Sequence, residues 1–181
     1  TGVASGRGVA IVSLPGAEAD VATAIADTVV AAGGTVASRT TLDASWVALD
    51  DATVTKRDDL AKELATTTRV ATVTTNDTAP PLFDRVLAAA LTADSTTIGQ
   101  DAARSALTSL VDAKFLEADP KTAVSAQLIV VVAPSTNGAD TKALQTELAS
   151  WVSLTRALDA SAAGTVVAAS ADPAPAAKDL T

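Results

Sequence analysis

The run QLIVVVA, residues 127–133, constrains the fold of this chain more than any other stretch. Six of its residues are apolar and four are β-branched, with no polar residue alternating among them. A strand with one wet face shows alternation, whereas an unbroken apolar run belongs to a strand covered on both faces. Such strands sit in the middle of parallel sheets, which need helical crossovers.

The rest of the chain supplies the crossovers. Val9 to Leu14 is a second apolar strand, stopped by Pro15-Gly16. Val21, Ile25 and Val29 follow at helical spacing, with Glu18 and Asp20 in the first turn, and Gly33-Gly34 ends that helix. Thr35 to Ser38 starts the next strand, which makes a βαβ unit. Thr40 to Asp51 reads as a connector containing Trp46. Lys56 to Ala65 reads as a short helix with Leu60 and Leu64 inward, and Thr66 to Pro81 as a loop with an extended piece at Val70 to Val73. Leu82, Val86, Leu87 and Leu91 mark one helix. Asp101 to Phe115 marks another, and Ala118 to Thr122 a turn. After the central strand, Pro134 to Gly138 forms a loop. Asp140 to Ala160 forms a helix with Leu144, Leu148, Trp151 and Leu158 on one face, and Thr165 to Ala169 a last strand.

The expected fold is therefore α/β: a three-layer, Rossmann-like open sheet, mostly parallel, with helices on both faces. Its four strands, numbered along the chain, are expected in the order 2-1-3-4. One domain over residues 1–170 is expected, with a loosely structured tail over 171–181, where Pro173 and Pro175 interrupt any regular element.

A strand–turn–helix opening invites a search for nucleotide. The fingerprint for dinucleotides needs three glycines at G-x-G-x-x-G. The turn SLPGAEAD has Gly16 alone, a proline that removes a donor, and two carboxylates where phosphate would sit. No Walker sequence occurs, so the glycine-rich nucleotide fingerprint is lacking. The loop APSTNGAD could offer Ser135, Thr136 and Asn137 to a small ligand, but an ordinary polar loop with Asp140 as helix cap also explains it.

Composition then removes most chemistry. The 181 residues include no His, Cys, Met or Tyr. The usual general base near neutral pH is missing, as are thiolate and phenolate nucleophiles. No G-x-S-x-G elbow occurs, and no Ser-x-x-Lys opens a helix. The adjacent acids Asp50-Asp51 and Asp58-Asp59 point apart on any regular element and read as solvated charge. Copper(I) takes thiolate or thioether and copper(II) imidazole, and the calcium-loop pattern is absent too. No catalytic, cofactor-binding or metal-ligating residue is assigned, no cofactor is expected, and the chain is not read as an enzyme.

Net charge is −8 and aromatics make up 2%. That balance repels nucleic acid and anionic lipid and leaves few rings for stacking on bases. The one basic pair, Lys56-Arg57, is followed at once by Asp58-Asp59. No run reaches the length of a membrane helix, and Thr1 suggests an excised ectodomain.

Several segments together carry a resemblance. GVAIVSLPGAEADVATAIADTVVAAGGTVASRTTL, DASWVALDD, RVLAAALTAD, LTSLVDAKFLEAD, AQLIVVVAPS and ASAAGTVVAAS follow the order seen in the actinobacterial MctB family, which includes the corynebacterial SteB branch. The resemblance covers residues 7–170. It implies a membrane-anchored protein whose short N-terminal segment, membrane helix and coiled coil precede this domain, which lies outside the membrane. It also implies two roles. One is copper handling in the cell envelope. The other is daughter-cell separation, with a cytoplasmic partner and an action toward peptidoglycan hydrolases. The missing imidazole and sulfur favour the second role, performed as a dimerising scaffold, a homodimer, over copper transport.

Overall fold

The structure, a computed structural model, describes residues 4–72, 79–93, 98–121, 123–134 and 141–169, and of residues 141–146 it describes the backbone alone. The elements, in chain order, are β1 (Gly8–Ser13), α1 (Ala19–Ala31), β2 (Thr35–Leu42), a single 3-10 turn (Ala44–Trp46), α2 (Asp51–Thr67), α3 (Leu82–Thr92), α4 (Gln100–Asp112), β3 (Leu116–Ala118), β4 (Leu128–Ala133), α5 (Thr141–Ser161) and β5 (Gly164–Ala169). The sheet order is β3-β2-β1-β4-β5. Strands β2, β1, β4 and β5 run parallel, and β3 pairs antiparallel with β2. The expected order of the four parallel strands is found, with one edge strand added.

The layers follow from handedness. The crossover from β1 to β2 and the crossover from β4 to β5 lead in opposite directions along the sheet. Right-handed crossovers of opposite direction place their helices on opposite faces. Ile11 and Val132 accordingly pack with Ala26, Val21 and Ile25 of α1. Ala10, Val12, Ile129 and Val131 point the other way, into a larger core built by α2, α3, α4 and α5. Helix α3 is buried nearly all round, through Phe83, Val86, Leu87, Ala88, Ala90 and Leu91, as befits a helix wrapped by three others.

Several elements differ from the sequence reading. Helix α2 begins at Asp51 rather than Lys56, because the Asp50 carboxylate accepts a hydrogen bond from the Thr53 amide at 2.9 Å and caps it. Strand β2 runs on to Leu42, well into the expected connector. Strand β3 begins just after the expected helix Asp101 to Phe115 and takes the first residue of the expected turn, held by Leu42 opposite Leu116 and by the Asp43 amide donating to the Phe115 carbonyl at 2.9 Å. Of the extended piece foreseen at Val70 to Val73, residues 70–72 form no strand and Val73 lies outside the described residues. So does the tail of residues 171–181. On α5, Trp151 and Leu158 are buried as expected, but Leu148 is 49% exposed, and the side chain of Leu144 lies outside the described residues.

Glycine is obligatory at two places. The α1 terminus closes with Gly33 at φ 81, its amide donating to Val30 and that of Gly34 to Val29. In β1 a Cβ on Gly8 would stand 2.8 Å from the Ser125 carbonyl oxygen, closer than any side chain can approach.

Candidate functional site

In an open α/β sheet, ligands bind beyond the carboxyl ends of the strands, where the strand order reverses. Here that point lies between β1 and β4. The turn after β1 passes through it. Leu14, Pro15, Gly16 and Ala17 form a type II turn, with Gly16 at φ 78 and the Ala17 amide donating to the Leu14 carbonyl at 2.9 Å. Proline has no amide and Ala17's is already used, so two donors that a phosphate would need are missing. The opening turn is structural. Ser135, Thr136, Asn137 and Asp140, on the loop after β4, lie outside the described residues.

What the switch point does present is an apolar groove of about 300 Å³. Leu14, Ala133 and Pro134 form its floor at the strand ends, Val167 of β5 forms one wall, and Leu148, Trp151 and Val152 of α5 form the other. Glu147 and Arg156 are its only charged residues among the described residues. A neighbouring hollow of about 400 Å³, beside Pro15, Val47 and Leu49, shares Glu147 and Trp151 with it. Such a surface suits an apolar side chain or helix face. Among the described residues it offers no metal ligand beyond one carboxylate.

A second feature escaped sequence reading. Asp84 on α3 is 6% exposed, and its Oδ1 accepts a hydrogen bond from the Trp46 indole nitrogen at 3.0 Å. Burial pushes its carboxyl up to about 6, against the opposing pull of Trp46, of the Arg57 guanidinium and of Ser153. A cleft of about 120 Å³ beside it is lined by Trp46, Arg57, Asp58, Pro81 and Ser153 among others. Trp46 and Phe83 stack at 4.3 Å between centroids, and Phe83 meets Phe115 edge-on at 4.9 Å. One polar bond thus ties the 3-10 turn to the centre of the helical layer. The visible signal was an Asp inside a helix that is otherwise apolar on nearly every side.

The remaining charged candidates have structural roles. Arg57 donates to the carbonyls of Trp46 and Ala48, and Lys56 donates to the Ala113 carbonyl at 2.7 Å while lying 5.3 Å from the Phe115 ring centre. Asp50 caps α2, and exposed Asp59 pairs with exposed Lys62 at 3.6 Å. The adjacent acids are not brought together with Asp84 as a catalytic couple, although Asp58 borders its cleft.

The model of a family described as "Copper transport outer membrane protein, MctB" matches residues 2–180. The chain belongs to the MctB family. The match spans nearly the whole sequence and reaches past both ends of the resemblance read above. No curated protein matches the chain. The MctB name raises copper as cargo, and the donor set can be tested against it. The chain holds no imidazole, thiol or thioether, and among the described residues no three carboxylates gather at one point. These residues do not fit a copper centre of either oxidation state. Among the described residues no helix is long and apolar enough to cross a membrane.

Proposed function

We propose that this MctB-family domain is a non-enzymatic, extracytoplasmic contact module of a membrane-anchored envelope protein. It acts in daughter-cell separation, toward peptidoglycan hydrolases, with a cytoplasmic partner engaged through other parts of the full-length protein. The observation that carries this reading is the character of the switch-point groove. Where α/β enzymes place cofactor and catalytic groups, this chain places Leu14, Ala133, Pro134, Leu148, Trp151 and Val152. That lining supports contact with a protein surface.

The test is a sacculus-solubilisation assay with a cognate peptidoglycan hydrolase, with and without the purified domain. The domain is expected to bind the hydrolase and change its rate severalfold. No binding and an unchanged rate would contradict the proposal.

A second reading, copper transport or copper homeostasis of the envelope, is favoured by the family's own description. In that case the metal would be handled by parts of the full-length protein with softer ligands than this domain owns.

A further inference from the structure

Strand β5 ends the sheet on the side away from β3, and among the described residues no strand pairs with its outer edge. The free N–H and C=O groups of such an edge are a template for another extended chain. Edges are ordinarily protected by charge, proline or a bulge, and the β5 sequence GTVVAA has none of the three. The two faces of this edge differ. Val167 pairs with Val131, which points into the α5 layer, and Val166 pairs with Val130 on the α1 side. Val167 is 56% exposed and borders the groove, while Val166 is 61% exposed on the opposite face. A strand added beyond β5 would alternate between these two faces, as β5 itself does.

Helix α5 sets what that strand must carry. It joins two parallel strands, so it runs antiparallel to β5. Leu148, Val152 and Arg156 recur every four residues and form one exposed ridge along the groove, with Leu148 49% and Val152 57% exposed. Glu147 instead stands one turn before buried Trp151, and with it borders the neighbouring hollow. Four residues of helix rise about 6 Å, and two residues of strand rise about 6.6 Å. Every second side chain of an added strand therefore keeps step with Leu148, Val152 and Arg156. The first two call for apolar side chains. Arg156 is exposed and pairs with no acid among the described residues, so the third position calls for a carboxylate. A strand antiparallel to β5 meets the ridge in the order apolar, apolar, acidic. The strand β5 of a second copy does not match. Its alternating sets, Gly164, Val166 and Ala168 or Thr165, Val167 and Ala169, hold no acid for Arg156.

We propose that the β5 edge binds an extended segment of a partner protein by strand addition, antiparallel to β5, with the pattern Φ-x-Φ-x-[D/E], where Φ is apolar. The apolar pair enters the groove beside Leu148, Val152 and Val167, and the carboxylate pairs with Arg156. This rests on the reading of the domain as a contact module and states the chemistry of its partner.

The experiment is a fluorescence-anisotropy titration of a fluorescein-labelled peptide, STVTVTETS, with the purified chain and with R156E and V152D. Both substitutions lie on exposed side chains, and circular dichroism and thermal melts check that each variant is folded. Saturable one-to-one binding to the wild type is expected. Exchanging the peptide's glutamate for lysine, or Arg156 for Glu, sets like charges face to face and is expected to weaken binding about fivefold or more. The lysine peptide with R156E restores opposite charges and is expected to regain most of that loss, while V152D abolishes saturation. N-methylating alternate peptide amides separates strand addition from simple adhesion. Only one of the two alternating sets faces β5, so one methylated peptide is expected to lose binding and the other to keep it. Absence of saturable binding overturns the proposal. So does binding insensitive to R156E and V152D, or equal loss from both methylated peptides. Binding that appears only when the chain is cut after Ala169 would assign the edge to residues 170–181, and competition between peptide and self-association would assign it to a second copy. Either result overturns it too. The hydrolase assay is read separately. A peptide that binds as expected beside an unchanged hydrolase rate fails the hydrolase reading alone, and a changed rate without peptide binding fails this proposal alone.

Discussion

Asp84 is the residue on which the pH dependence of this fold turns. A carboxylate buried to 6% exposure stays charged at neutral pH only because Trp46, Arg57 and Ser153 face it. Its folded value of about 6 lies above its ordinary 3.8, so between those values the folded chain holds a proton that the unfolded chain releases. Stability from this group is fully present below about 3.8 and is lost as pH rises through about 6. The difference amounts to about 3 kcal/mol at most. Asp43 and Asp50 act in the opposite sense. Backbone amides of Ser45 and Thr53 pull their carboxyls down, so their contribution is present above the ordinary carboxylate value and disappears as pH falls below it. The two effects occupy separate windows. Urea denaturation from pH 4 to 7 should show wild-type stability falling as pH rises. D84N keeps an acceptor for the Trp46 indole and removes the charge. It should flatten that slope and exceed wild type at pH 7 by about 1–3 kcal/mol. W46F leaves the buried carboxylate without its indole donor and should lose about 1–3 kcal/mol at pH 7. A D84N slope equal to wild type would show that Asp84 does not titrate in this window. The sequence shows an Asp inside an apolar helix but not its partner. The Trp46–Asp84 bond joins residues 38 positions apart, across elements whose contact depends on the whole helical layer.

At the scale of elements, legibility followed the strength of the local pattern. The runs at β1 and β4 announce themselves because burial on both faces forbids polar alternation, and the Gly33-Gly34 stop of α1 is a local hydrogen-bond motif. Strand β3 is only three residues long and follows α4 by a tight exit through Lys114 at φ 63, so it shows no period of its own. Its existence depends on β2 being there to pair with it. The start of α2 was readable in principle. Asp50 precedes the helix as a side-chain cap, but the polar Asp-Ala-Thr-Val-Thr segment hid the apolar stripe. Gly8 gives the sharpest element-scale test. Its position fixes how closely β1 approaches the chain entering β4, where the Gln127 amide donates to the Gly8 carbonyl at 2.8 Å. G8A must move the Ser125 backbone and should cost about 1–3 kcal/mol in a chemical melt. A change within about 0.5 kcal/mol, the range of ordinary surface substitutions, would contradict the packing described.

For the molecule as a whole, two facts pull against each other. The chain belongs to a family named for copper transport, and it carries no side chain suited to copper. The wall of the groove at the switch point is Leu, Trp, Val and Pro, which supports the proposed contact role. The doubly wound topology was legible because crossover handedness leaves few alternatives once the strands are placed. The groove was not. Leu148 reads as core by helical spacing, and only the position of β5 at the sheet edge shows that, among the described residues, α5 has no neighbour on that side. The most direct measurement is an anaerobic competition titration of the purified domain with copper(I) against a chromophoric chelator, repeated with copper(II). A domain without imidazole, thiolate or thioether should take no metal from the chelator and show no stoichiometric endpoint in either oxidation state. A single saturable site of sub-micromolar affinity would contradict the central claim that this domain works through its surface and not through bound copper.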